Sequence, residues 1–200
     1  MHLGIYAFVS CLCAIVMLTQ ANSFADSRPV WPEGRQQEKN LTVGFRATIE
    51  KPEGATVKLH LSASSLYRIF VNGQFAGYGP ARAGHGYYRL DEWEITPLLK
   101  QGSNVVAIEV VGYNVNSYYL LDQPAFLQAE VLADGRVLAA TGTDAGTGFE
   151  AHILDGRVQK VQRYSFQRPF MEVYRLSPGF DAWRSDPAVE ITPVKLKDCG

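Results

Sequence analysis

The chain has 200 residues, 46% of them hydrophobic, with 19 basic and 20 acidic side chains and a formal net charge of -1. That length suits one domain with extras or two small ones, and the apolar share is enough to fill a core. The balanced charge, without a run of one sign, argues against a nucleic-acid partner, which would demand a basic excess or stripe.

Leu3–Leu18 is almost wholly apolar and uncharged, and Ser23-Phe24-Ala25 follows as a small-x-small cleavage pattern. Residues 1–25 therefore read as a secretory signal peptide, and the mature protein is expected to be secreted or periplasmic. The apolar run is shorter than the ~20 residues of a spanning helix, so no membrane span is expected after cleavage. The segment before it has His2 and no Lys or Arg, which leaves an uncleaved anchor as the alternative. Cys11 and Cys13 would leave with the leader and Cys199 would remain, so no internal disulfide is expected.

Asp26–Asn40 is polar, contains Pro29 and Pro32, and reads as a linker. Val57-Lys58-Leu59-His60-Leu61 alternates apolar and polar, the mark of a half-buried strand. Tyr67, Ile69 and Val71 repeat the alternation with Arg68 on the other face, and Asn72-Gly73 predicts a type I′ turn into a partner strand, Gln74–Tyr78. Thr96-Pro97 and Gly102 fit one helical turn with Thr96 as cap and Pro97 at its first position. Val105–Val111 is nearly continuous and β-branched, as a strand covered on both faces would be. Leu127, Ala129 and Val131 alternate with Gln128 and Glu130, and Asp134-Gly135 turns the chain into Arg136–Ala140. The expected fold is all-β, a jelly-roll or galactose-binding-like sandwich over 41–140. Residues 141–176 read as part of a second β region, through Val158–Val161 and Phe170–Tyr174. Residues 177–200, with three prolines, read as a linker or as the first piece of a domain cut by the chain end.

The loops carry the chemistry. Tyr78, Arg82, His85, Tyr87, Tyr88, Asn114, Asn116, Tyr118, Tyr119 and Asp122 form the mixture a sugar requires. Aromatic rings stack on its C–H face, while amides, carboxylates, guanidinium and imidazole hydrogen-bond its hydroxyls. The other reading is that individual tyrosines pack in a core or between domains. Glu109, alone in an apolar run, needs a charged or hydrogen-bonding partner if it is buried, for which Arg68, Arg82 and Arg89 are the candidates; a ligand contact or an edge position facing water are the alternatives. Asp91, Glu92 and Glu94 read as solvated charges around Trp93 rather than as a paired-carboxylate hydrolytic site. His60, His85 and His152 lack metal-ligand spacing, so no zinc site is expected; calcium stays open, although no Asp/Asn-rich loop demands it, and with no P-loop or nucleophile elbow no cofactor is expected.

Several segments also carry a family resemblance. They are Phe70-Val71-Asn72-Gly73, Gly77-Tyr78-Gly79-Pro80-Ala81-Arg82, His85-Gly86-Tyr87-Tyr88 and Gly112-Tyr113-Asn114-Val115-Asn116-Ser117-Tyr118-Tyr119, with Asp122-Gln123-Pro124 after them. In order, they resemble the N-terminal, galactose-binding-like domain of bacterial α-L-rhamnosidase-type glycoside hydrolases. The resemblance covers roughly Leu41–Ala140, with a weaker echo through Val158–Tyr174. It implies a multidomain exo-hydrolase of terminal α-L-rhamnose whose catalytic carboxylates lie on a helical toroid C-terminal to the β domains. No residue here matches that toroid, so the resemblance transfers no catalytic residue. It implies a non-catalytic head, with a rhamnose-containing glycan and a downstream catalytic domain of the same chain as partners. The alternatives are a freestanding secreted carbohydrate-binding module and a purely structural sandwich.

Overall fold

The computed structural model describes residues 23–142 and 148–200, so the signal-peptide expectation lies almost wholly outside the described residues. The strands are β1 (Val30–Pro32), β2 (Leu41–Lys51), β3 (Val57–Ser64), β4 (Leu66–Val71), β5 (Gln74–Gly79) and β6 (Asp91–Glu94). They continue with β7 (Gly102–Gly112), β8 (Phe126–Ala133), β9 (Arg136–Ala140), β10 (Glu150–Ile153) and β11 (Leu196–Asp198). Sheet I has the order β11-β1-β8-β3-β6, with β9 also paired to β8, and sheet II has the order β10-β2-β7-β4-β5. The expected all-β sandwich is what forms.

Local chemistry explains the hairpins. Asn72 and Gly73 both have positive φ, 50° and 79°, and join β4 to β5. Asp134 and Gly135 repeat the device, at 47° and 83°, between β8 and β9. The turn after Ile95 departs from expectation. It is a short 3-10 turn, Thr96–Leu98, without a side-chain cap. The Thr96 hydroxyl instead accepts the Val57 N–H at 2.8 Å, binding the turn to the start of β3.

The inner faces supply one core that includes Phe45, Leu59, Leu61, Ile69, Ile108, Leu127 and Val131, all fully buried. Within sheet II, β7 lies between β2 and β4 and is buried from Asn104 to Gly112. Val106, Ile108 and Val110 point into the main core. Val105 and Ala107 point the other way, into a second patch with Phe70 and Trp183.

That second patch widens the expected boundaries. The sheets reach beyond 41–140 in both directions, because β1 pairs with β8, β10 pairs with β2 and β11 pairs with β1. Val158–Val161 and Phe170–Tyr174 are not strands; the isolated bridges Arg157↔Tyr174 and Arg163↔Phe170 flank them, and the Val158 N–H donates to the Val173 carbonyl at 2.8 Å. Nor is 177–200 a free linker. Trp183 sits in a short turn, Ala182–Arg184, and is buried against sheet II, with Leu154, Val189 and Ile191 around it. The proline-broken sequence hides this because a single anchoring tryptophan has no period to detect. Residues 154–191 thus form a strap over the outer face of sheet II. Gly44 permits the close approach, since a β-carbon there would stand 2.7 Å from the His152 ring and 2.8 Å from Trp183.

Two outcomes are expected. Trp183→Ala removes the strap's anchor and costs about 3 kcal/mol in urea unfolding. Limited proteolysis should then cut within 177–191 first, and an unchanged cleavage pattern would contradict the anchoring role. His152 packs edge-on against Trp183 at 4.6 Å, and burial, helped by the Arg46 charge, holds its imidazole down to about 4. The stability this neutral ring contributes is present above about pH 6.5 and is lost as pH falls through about 4. Urea midpoints across that range should fall more steeply for the natural chain than for His152→Leu; parallel curves would count against it.

Candidate functional site

Three chain connections leave the sandwich at the same end. Register shows this directly: Ser64 lies opposite Phe126, Leu66 opposite Val111 and Tyr67 opposite Gly79. The β3–β4 link, the long loop from Pro80 to Leu90 and the loop from Tyr113 to Ala125 therefore meet. Between them is an open groove of about 420 Å³. That volume is in the range of small-ligand sites, ~300–1,000 Å³.

Of the residues expected to form a ligand rim, Arg82, Tyr87, Tyr88, Tyr118 and Tyr119 line this groove. Tyr87 and Tyr118 are each 75% exposed, so their rings are presented to solvent rather than used for packing. Tyr88 stands at right angles to Phe126 with ring centres 4.7 Å apart, which fixes its ring. The Arg82 guanidinium lies over the Tyr119 ring at 5.8 Å and keeps its N–H donors at the rim. Ser64, Ser65 and Ser117 also line the groove. The Ser117 hydroxyl accepts the Leu120 N–H at 3.0 Å and shapes the turn that displays Tyr118 and Tyr119. Gln123 and Arg89 also line the groove and were not expected in the rim from sequence, although both lie in the same loops. Gln123 takes the Gly86 N–H at 3.3 Å, tying the two long loops together.

The remaining expected residues lie elsewhere. Asn114 is 1% exposed and donates its amide to the carbonyls of Gln36 (2.6 Å) and Glu38 (3.0 Å). Its φ of 48° places it in the left-handed region that Asn tolerates. It is a loop brace and not a ligand contact. The Asn116 side-chain amide oxygen, Oδ1, accepts the Asp122 N–H at 3.0 Å, so this pair closes the loop on itself. His85 is exposed and lines no described cavity near the groove. Tyr78 borders a separate cavity of about 230 Å³ on the outer side of sheet II, with Arg68, Glu109, Tyr113, Arg157 and Glu172.

That second cavity explains Glu109. Its carboxylate is 4% exposed and is shared by Arg68, 2.7 Å from Oε2, and by Arg184 on Oε1. The Arg68 contact is an ion pair without the alignment of a hydrogen bond. Arg68 thus matches the sequence expectation, whereas Arg82 is over Tyr119 and Arg89 pairs with Asp91 at 2.7 Å. Arg184 had no local signal, since it lies 75 residues away on the strap. Arg68 also donates to the Tyr174 hydroxyl at 2.9 Å, and Arg157 donates to that of Tyr113 at 3.0 Å. The network clamps strap to sheet.

The acidic residues near Trp93 are likewise engaged. Asp91 accepts the Tyr67 hydroxyl at 2.7 Å, and Glu92 is paired with Lys58 at 2.7 Å and with His60 at 3.0 Å. Neither lines the groove. Among the described residues, no group of three or more His, Cys, Asp or Glu is placed to hold a metal ion.

No protein-family model matches the chain, and no curated protein matches it. Solved structures do. A GH78 family rhamnosidase of Bacillus sp. GL1 is similar over 90% of this chain and 19% of its own, at 28% identity and a TM-score of 0.76. An α-L-rhamnosidase from Aspergillus terreus is similar over 88% of this chain and 21% of its own, at 18% identity and a TM-score of 0.58. A Streptomyces avermitilis α-L-rhamnosidase complexed with L-rhamnose covers 86% of this chain with 14% of its own, at 17% identity and a TM-score of 0.50. The latter two speak to the fold alone. The chain spans about a fifth of the length of the Bacillus enzyme, so the similarity is to one portion of such a protein. The resemblance to α-L-rhamnosidases read from the loop segments is borne out.

The geometry separates brace from rim. Asn114→Ala should cost about 2 kcal/mol, because a buried side chain loses its hydrogen bonds to the Gln36 and Glu38 carbonyls. Tyr118→Ala should change stability by less than about 0.5 kcal/mol. Glu109→Ala should cost about 3 kcal/mol, since Arg68 and Arg184 lose the buried carboxylate they share. Urea denaturation of the three variants tests all of this; equal losses for Asn114→Ala and Tyr118→Ala would refute the assignment.

Proposed function

We propose that this chain is a non-catalytic β-sandwich portion of an exported α-L-rhamnosidase-like glycoside hydrolase. We further propose that its loop-end groove contacts a rhamnose-containing glycan. The observation that carries the first part is the coverage: nine-tenths of this chain matches a fifth of a GH78 rhamnosidase at 28% identity. The groove supports the second part. Its exposed tyrosine rings offer stacking faces, and Arg82 offers donors beside them, the pairing a deoxyhexose with one apolar flank requires. The carboxylates Asp91 and Glu92 are paired within the fold and lie off the groove, which supports binding without hydrolysis. Export is inferred from the apolar run Leu3–Leu18 and the small-x-small pattern after it.

A second reading is a supporting surface for a neighbouring domain of the same protein. Tyr164, Phe166 and Leu176 favour it, since they are 84%, 75% and 69% exposed on the strap and do not line the groove.

Calorimetric titration of the purified full chain with rhamnose and a rhamnose-containing oligosaccharide separates the two. Saturable binding is expected, weakened about tenfold, or about 1.4 kcal/mol, in Tyr118→Ala and in Arg82→Ala at unchanged unfolding midpoint. No binding, or binding indifferent to both variants, overturns the glycan contact and leaves the supporting surface. Release of product from an aryl α-L-rhamnoside by this chain would overturn the non-catalytic assignment.

A further inference from the structure

Glu130 is a charge in the wrong place for its strand. On β8, Leu127, Ala129 and Val131 point into the core, so Gln128 and Glu130 belong to the outer face of sheet I. An outward carboxylate should be wet, yet Glu130 is 0% exposed. What seals it is the short segment 25–27. The Ala25 N–H lies 3.0 Å from both carboxylate oxygens, and the N–H groups of Asp26 and Ser27 lie 3.1 and 3.3 Å from Oε2. Gln128 holds the same segment by donating to the Ser27 carbonyl at 2.7 Å.

These donors are neutral amides. The one basic side chain paired with Glu130 among the described residues is His60, opposite it in the β3–β8 register, with Nδ1 3.7 Å from Oε1. The other ring nitrogen of His60 is already engaged with Glu92 at 3.0 Å. A fully buried carboxylate is thus left without a dedicated counter-ion, an arrangement that folded chains avoid.

The sequence offers that counter-ion at the same spot. The small-x-small pattern Ser23-Phe24-Ala25 places a leader cut after Ala25. The cut would free the nitrogen of Asp26, which stands 3.1 Å from Glu130 Oε2. We infer that the Ala25–Asp26 bond is the maturation site and that the α-ammonium of Asp26 is the counter-ion of Glu130. The two observations are independent: one is a residue pattern in the leader, the other a contact across 104 residues of sequence.

The chemistry is simple hydrolysis by a leader peptidase acting on the exported, unfolded chain. Water adds across the peptide bond; Ala25 departs with the leader as a carboxylate, and the Asp26 nitrogen is protonated to –NH3+. The neutral Ala25 N–H is removed from the carboxylate, and a charged group with three donors stands beside Oε2, where the Asp26 nitrogen already lies. Folding then buries the new terminus beside Glu130 on the outer face of sheet I.

The full 200-residue chain, produced with its leader in an exporting bacterial host, tests this. Intact mass should show a first residue of Asp26. Cyanate near neutral pH, which reacts with the free-base form of an α-amine, should label the native protein at least about tenfold more slowly than the urea-unfolded protein, the effect of one pKa unit or more. Glu130→Gln should abolish that protection. A different first residue, equal labelling of folded and unfolded protein, or protection that survives Glu130→Gln would each overturn the inference. If Glu130→Gln does not fold, the native-against-urea comparison on the natural sequence decides.

Discussion

The central strand β7 must be buried on both faces, and most of the architecture follows from that requirement. Its inward residues Val106, Ile108 and Val110 meet sheet I, as in any sandwich. Its outward residues Val105, Ala107 and Val111 are equally apolar and cannot be left in water. A second sheet is not available to cover them, so the strap 154–191 does it with Trp183, Leu154, Val189 and Ile191, and with Phe170 further along. Glu109 on the same face makes the cover specific. A buried carboxylate accepts only a partner that brings charge and hydrogen bonds together, and Arg184 meets that condition at one register of the strap.

Sheet I repeats the logic at the other surface. Glu130 is to sheet I what Glu109 is to sheet II: one acid on an outer face, closed over by a distant piece of chain. In one case the cover is the strap, in the other the segment that follows the leader pattern. Both sheet surfaces are therefore finished by segments outside the 41–140 core, and β1, β10 and β11, which also lie outside it, extend the sheets. A sandwich cut at 41 and 140 would expose an apolar face and leave two acids without their covers.

With both sheet surfaces occupied, the loop end is where the molecule can present side chains freely. The groove there is built on strand ends held by the core, and its loops are braced internally by Asn114, Ser117 and Gln123. Arg82 and the tyrosines are thereby released from structural duty. This division of labour, rigid strands below and braced loops above, is how sandwich folds commonly carry recognition. It also suits a chain that is similar to one portion of much larger rhamnosidases.

Short-range chemistry was legible in the sequence. Strand alternation, the Asn72-Gly73 and Asp134-Gly135 turns, and the two-sided burial of Val105–Val111 depend on φ/ψ preferences and periods of a few residues, and each appeared as read. So did the gathering of Arg82, Tyr87, Tyr88, Tyr118 and Tyr119, because their loops follow strands that end together. Three features were decided by tertiary structure alone: the partnership of Glu109 with Arg184, the burial of Glu130 under residues 25–27, and the inward turn of Asn114. Each joins residues from 75 to 105 positions apart. No local pattern encodes such a pairing, because it is selected only when the folded sheets bring a buried charge or an unsatisfied carbonyl within reach of a distant donor.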